Sequence, residues 1–161
     1  MIQPIWNTAR GRMRVAGLAS GSGNTLWKTL ELQRTLEATP GGSPFEIVAV
    51  FADSPEAKAL RTAEEFGIPG LSIDIRAFYA DRGAPLKDRA VRAEYDRRIL
   101  DLLAPFVPDG ILLAGYVWAT TSVITGSLIT WGVHPADLAV EKDGRRAYAG
   151  VDRLGSTLAG G

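Results

Sequence analysis

Short, almost wholly apolar segments recur along this chain with amphipathic stretches between them, and that alternation restricts the fold more than any other feature. MRVAGLA from Met13, FEIVAVF at 45–51, and residues 71–75, 110–113 and 129–133 each read as a strand. Continuous apolar runs of this length, bounded by turn-forming residues, fit strands buried on both faces of a parallel sheet. Leu26, Leu30 and Leu36 give the first intervening stretch an apolar side, with Asn24 or Thr25 as its cap and Pro40 with Gly41-Gly42 as its end. Ser54 and Pro55 suit the start of a second helix and Gly67 before Ile68-Pro69 its stop. After a polar connection, Val91, Tyr95, Ile99, Leu102 and Phe106 recur at helical spacing up to Pro108. The charges between them, Arg92 and Asp96 included, read as a solvated face. Thr120 or Thr121 caps a brief last helix. The order βαβαβαβαβ gives an α/β fold, a Rossmann-like parallel sheet with helices on both faces.

Such sheets bind ligands beyond the carboxyl ends of their strands, where strand order reverses. The alternation therefore gathers Ser20 to Thr25, Ala114-Gly115-Tyr116 and His134 at one crevice. In Ser20-Gly21-Ser22-Gly23-Asn24-Thr25 the backbone N–H groups are unobstructed and lie at the positive end of the following helix, so a phosphate fits. No Gly-Lys-Ser/Thr follows, and the GxGxxG spacing of a dinucleotide site is absent. A plain tight turn uses the same residues, and the loop alone leaves both readings open. His134 stands where an apolar strand ends and Pro135 forbids its simple continuation. An imidazole there can donate a proton or stabilise an oxyanion near neutral pH, although a lone histidine is more often structural.

Composition narrows the chemistry. The 161 residues suffice for one domain with a sizeable core, read as 1–161 with a loose lead-in at 1–12. Cysteine is absent, which removes thiol nucleophiles and CxxC redox chemistry; with a single histidine, no transition-metal site is expected. Eighteen basic residues balance eighteen acidic ones, so no overall field favours nucleic acid or an anionic membrane. The longest apolar stretch, residues 110–120, falls short of the roughly 20 needed to span a bilayer, and no secretory signal is evident. The expectation is a cytoplasmic protein acting on small-molecule substrates. No GxSxG elbow occurs.

Several segments together resemble the folate-dependent formyltransferase family, and within it the phosphoribosylglycinamide formyltransferases. They are MRVAGLASGSGNTL, FEIVAVFADSP, EEFGIP, RAEYDRRILDLL, PDGILLAGYVW and GVHPADL, in family order and spacing through most of the chain. The resemblance implies transfer of a formyl group from 10-formyltetrahydrofolate to the primary amine of phosphoribosyl glycinamide, in purine biosynthesis. It implies that Gly23, Asn24 and Thr25 hold the ribosyl phosphate. It implies that Val117, Trp118, Ala119 and Thr120 line the folate pocket, and that Arg92, before Tyr95-Asp96, approaches the folate. His134 matches the catalytic histidine of the family's N-x-H-P motif.

Two departures qualify it. The family asparagine two positions before the histidine is Gly132 here, so a side-chain donor to the formyl oxygen is missing. The family's later aspartate, in a segment resembling T-x-H-x-V-x-x-x-x-D-x-G, has no counterpart; Asp137 and Asp152 occupy other positions, and Asp137 reads as a brace for the loop after His134. The expectation is a C-terminally truncated or diverged member, with 139–161 as the truncated segment and impaired activity. A phosphoribosyl-binding protein without turnover is the alternative. A nicotinamide-dependent oxidoreductase using Asp53 on a ribose fits worse, because Asp53 lies about thirty residues past the loop instead of about 20. Trp6, Trp27 and Trp131 are candidates for a homodimer face or for ordinary core.

Overall fold

The structure is a computed structural model that describes residues 5–133, 141–142 and 145–146. The chain divides into Met1–Trp131 and Gly132–Gly161. In the second unit, β6 (Glu141–Lys142) pairs antiparallel with β7 (Arg145–Arg146).

The strands of the main sheet are β1 (Met13–Ala19), β2 (Phe45–Ala52), β3 (Gly70–Ser72), β4 (Gly110–Leu113) and β5 (Ile129–Gly132). They lie in the order β3-β2-β1-β4-β5, and the pairs β1/β2, β1/β4 and β2/β3 are parallel. The chain winds outward from β1 to β3, then returns to β1's other side for β4, so strand order reverses between β1 and β4. This is the Rossmann-like α/β architecture that the alternation of segments predicts, and it puts the ligand-binding crevice beyond the ends of those two strands.

Each face of the sheet has its own core. Val15, Ala19, Ile47, Val50, Leu112 and Ala114 pack with Leu26 and Leu30 of α1 (Asn24–Glu37) and Ala59 and Ala63 of α2 (Lys58–Glu65). Ala16, Leu18, Ala49, Phe51 and Ile111 face the other way. There they meet α3 (Ile75–Ala80), α4 (Arg89–Leu103) and α5 (Ser122–Thr125) through Ile75, Tyr79, Val91, Tyr95, Ile99, Leu103 and Ile124. The first layer is aliphatic, whereas the second is built around tyrosines, with Tyr95 set edge-on to Phe51 at 6.2 Å and to Phe78 at 5.1 Å. Strand β2 carries a bulge: Val15 pairs with Ile47 but Ala16 with Ala49, leaving Val48 unmatched. The bulge is why Ile47 and Val50 share a face although three positions apart.

Several boundaries differ from those the sequence predicts. Gly23, not Asn24 or Thr25, is the N-cap of α1, in a left-handed conformation with φ 70°. An added Cβ would sit 2.8 Å from the Cα of Ala59, so the close approach of α1 to α2 requires glycine there. Ser54-Pro55 does not open α2; Ser54 closes a turn by accepting from Ala57 N–H at its carbonyl, and the helix begins at Lys58. Strand β3 stops at Ser72, and Ile75 belongs to α3, because the Asp74 carboxylate caps Ala77 N–H at 2.9 Å and turns the chain into a helix. The expected polar connection thus contains a helix. In α4 the inward stripe is Arg92, Tyr95, Asp96, Ile99 and Leu103, so Arg92 and Asp96 are buried instead of solvated, and Leu103 replaces Leu102 as the last buried residue. Trp6 and Trp131 pack against the α1/α2 core, while Trp27 is exposed. Among the described residues, no helix is long and apolar enough to cross a membrane.

Candidate functional site

Two loops meet where the strand order reverses. Ser20, just past β1, donates its N–H to the Gly115 carbonyl at 3.2 Å, and its hydroxyl accepts from Val117 N–H at 3.2 Å. These bonds bring the glycine-rich loop 20–25 beside the loop 114–121 that follows β4, as the sequence reading expects. The Gly21 carbonyl accepts from Ala59 N–H at 3.2 Å, which fixes the loop's far side to α2. Gly23 provides no side-chain cap, so the first-turn N–H groups of α1 are left for an external acceptor. Asn24 is exposed at this opening and Thr25 half-buried.

A polar cluster fills the space under the second loop. The Arg92 guanidinium lies 4.8 Å from the Trp118 ring centre, 5.3 Å from that of Tyr79 and 5.8 Å from that of Tyr95. The Trp118 indole N–H donates to the Asp53 carboxylate just past β2. One turn beyond Arg92, Asp96 accepts at Oδ2 from Thr121 N–H at 2.6 Å and from the Thr121 hydroxyl at 2.8 Å, holding the start of α5. Tyr95 donates its hydroxyl proton to the Ile73 carbonyl at 2.7 Å. Among the described residues, three buried atoms lack a partner in good hydrogen-bond geometry, Arg92 Nη1, Asp96 Oδ1 and the Tyr116 hydroxyl, although the Arg92 guanidinium is close enough to that hydroxyl to act on it as a side-chain donor. A buried polar atom left in that state costs about 1–3 kcal/mol, and in native structures such atoms mark places where water or a ligand belongs.

Burial dominates the acid–base behaviour here. It raises the Asp96 carboxyl, against the lowering effect of the two Thr121 bonds and of Arg92. It also drives both Tyr95 and Tyr116 well above the usual phenol range, so each phenol is neutral at physiological pH. Arg92 opposes these shifts in all three groups, as a cation close to each must.

Of the residues assigned to the folate, Val117 and Ala119 are exposed at the mouth, Trp118 and Thr120 half-buried, and Arg92 is beneath Trp118. Asp53 faces the indole, an engagement at odds with the ribose contact an oxidoreductase would need. His134, Asp137 and Asp152 lie outside the described residues, as does 139–161 apart from β6 and β7. Sequence reasoning missed Asp96 and the pairing of Asp53 with Trp118. The one available signal for Asp96 was its place on the helical stripe of Tyr95 and Ile99. Among the described residues, no group of three or more His, Asp or Glu side chains is placed to hold a metal ion.

No family model matches the chain, and neither does the sequence of any curated protein. Solved structures do. The chain is similar to glycinamide ribonucleotide transformylase 1 from Symbiobacterium toebii, with a TM-score of 0.68 and 24% identity over 93% of this chain and 61% of that one. The corresponding protein from Geobacillus kaustophilus gives 0.69 and 24%, over 93% and 69%. Phosphoribosylglycinamide formyltransferase from Brucella melitensis gives 0.63 and 28%, over 80% and 60%. The chain thus shares their fold and spans roughly three fifths to two thirds of their length.

Proposed function

We propose that this chain is a formyltransferase that moves a formyl group from 10-formyltetrahydrofolate to the primary amine of phosphoribosyl glycinamide. The observation that carries the proposal is the junction of the glycine-rich loop with the loop after β4 at the strand-order reversal, in a fold shared with solved transformylases. Gly23, Asn24 and Thr25 receive the ribosyl phosphate on the first turn of α1, where unbonded N–H groups and the helix dipole favour an anion. Val117, Trp118, Ala119 and Thr120 contact the folate, and Arg92 contributes positive charge at that end. The unpartnered Arg92 Nη1 fits an anionic ligand, since a guanidinium N–H seeks an oxygen acceptor.

The two substrates then lie end to end, which replaces a bimolecular encounter by a local one. The amine attacks the formyl carbon, and protonated His134 stabilises the oxyanion that develops on the formyl oxygen. As the carbon–nitrogen bond to the folate breaks, the proton that the amine gives up is taken up by the departing folate nitrogen, leaving tetrahydrofolate and the formylated amide. Gly132 provides no side-chain donor to that oxygen; loss of one comparable donor lowers turnover on the order of 10²–10³-fold. A second reading, a phosphoribosyl-binding protein without turnover, is favoured by that same glycine.

The test is 10-formyltetrahydrofolate consumption with and without phosphoribosyl glycinamide, for this chain and for His134→Ala. Amine-dependent turnover that falls at least about 100-fold in the variant supports transfer. No turnover in either, combined with thermal stabilisation by phosphate that Asn24→Ala and Thr25→Ala diminish, supports the binding protein. Stabilisation unchanged by those substitutions removes the loop from both readings.

A further inference from the structure

The loop between β4 and α5 is hydrogen-bonded at both ends, and between them Tyr116 is buried and Trp118 packs half-buried against the tyrosine-rich core. At its start, Gly115 and Val117 are bonded to Ser20; at its end, Thr121 is bonded twice to Asp96. Between these anchors, the hydrogen bond from the Trp118 indole to Asp53 is the link to a distant part of the chain. Gly115 takes φ 81°, a left-handed conformation that suits glycine at the start of the loop. Beneath the indole lies the guanidinium of Arg92, only 7% exposed, with Nη1 unpartnered among the described residues. An aromatic face satisfies a cation weakly compared with an oxygen acceptor.

We infer that Trp118 is a gate over Arg92, with Asp53 as its latch. Closed, the indole keeps water and anions from a buried cation; open, the cation and the Tyr116 hydroxyl face the crevice together and donate to an oxyanion. Asp53 acts through Trp118 and is a positioning residue. The gate concerns the crevice described above, but its action needs no formyl donor and is tested without one.

Phenylglyoxal attacks accessible guanidinium groups, and peptide mass spectrometry reports modification site by site. Arg97, exposed on the same helix, is the internal standard. In the intact chain Arg92 should be modified far more slowly than Arg97. Trp118→Phe keeps an aromatic ring and removes the N–H, and Asp53→Ala removes the acceptor; each should speed Arg92 modification about tenfold, the effect of losing one charge-assisted hydrogen bond. Asp53→Asn retains an oxygen acceptor and should restore slow modification, a rescue that general loosening of the fold would not show. Circular dichroism establishes that each variant is folded, and if Asp53→Ala is not, Trp118→Phe decides. Modification of Arg92 at the Arg97 rate in the intact chain, or no acceleration in Trp118→Phe, would overturn the gate.

Discussion

The two ends of the sheet differ in how far their polar groups are satisfied. At the amino ends of the strands lies a hollow of about 420 Å³, lined by Leu30, Ile47, Phe66 and Ile68 together with Arg14, Arg34, Glu37 and Glu46. Its charges are already engaged. Arg14 donates to the Phe106 carbonyl at 2.8 Å, Arg34 is paired with Glu31 at 2.8 Å, and Glu37 with Arg12 at 3.0 Å. At the carboxyl ends, by contrast, Arg92, Asp96 and Tyr116 each keep a polar atom without a well-aligned partner. Unmet hydrogen-bonding capacity, not volume, separates a place built for a ligand from a gap between well-satisfied side chains.

The largest expected effect is at the carboxyl end. Gly23→Ala combines a left-handed backbone with a Cβ 2.8 Å from Ala59 Cα, and should cost about 3 kcal/mol, or roughly 10 °C in Tm. Gly67→Ala beside the amino-end hollow has φ 68° but open space, and should cost only about 1 kcal/mol. Equal losses in thermal denaturation would erase the distinction between a packed loop and a loose one.

A smaller contrast sharpens it. Arg14→Met removes donors to the Phe106 and Val107 carbonyls, and should lower stability by about 1 kcal/mol in urea denaturation. Arg92→Met removes a buried cation with an unpartnered nitrogen and should leave stability within about 1 kcal/mol of the parent, or raise it, while the folate binding proposed above should weaken at least about tenfold. If Arg92→Met proves the more destabilising, Arg92 is a structural residue.

Asp96 supplies a pH test. Its carboxyl is raised in the folded state by burial, so between the unfolded and folded pKa values the native chain binds the extra proton. That contribution favours folding at acid pH and is lost as pH rises through the folded value. The stability of Asp96→Asn relative to the parent should therefore climb from acid to neutral pH, as measured by Tm across that range; a flat difference would place the carboxylate in a better-solvated setting. The smallest effect belongs to Tyr116→Phe, which deletes a buried hydroxyl whose one neighbouring donor, Arg92, is poorly aligned with it, and should change stability by no more than about 0.5 kcal/mol in the same denaturation assay.

Much of this architecture was legible in the sequence because parallel strands buried on both faces must be apolar throughout, and β1, β2 and β4 are close to that. The glycine-rich loop and the loop after β4 were legible as neighbours for the same reason. Less legible were features decided by tertiary contacts. Ile75 to Ala80 is apolar enough to read as strand extension, and only the Asp74 cap turns it into a helix. Arg92 and Asp96 sit in a dense run of charges whose solvated majority hid them, and the Asp53–Trp118 bond joins residues 65 positions apart, beyond the reach of any local pattern.

Val48, the unmatched residue of β2, ties the two levels together. It shifts the phase of the strand by one position, so that Ala49 and Phe51 face the tyrosine-rich layer and the chain delivers Asp53 toward Trp118. Side-chain chemistry at position 48 is thus secondary to its presence in the count. Exchange of Val48 for another β-branched residue leaves the phase intact, whereas its excision would rotate everything downstream by half a turn and carry the Asp53 latch to the opposite side of the sheet.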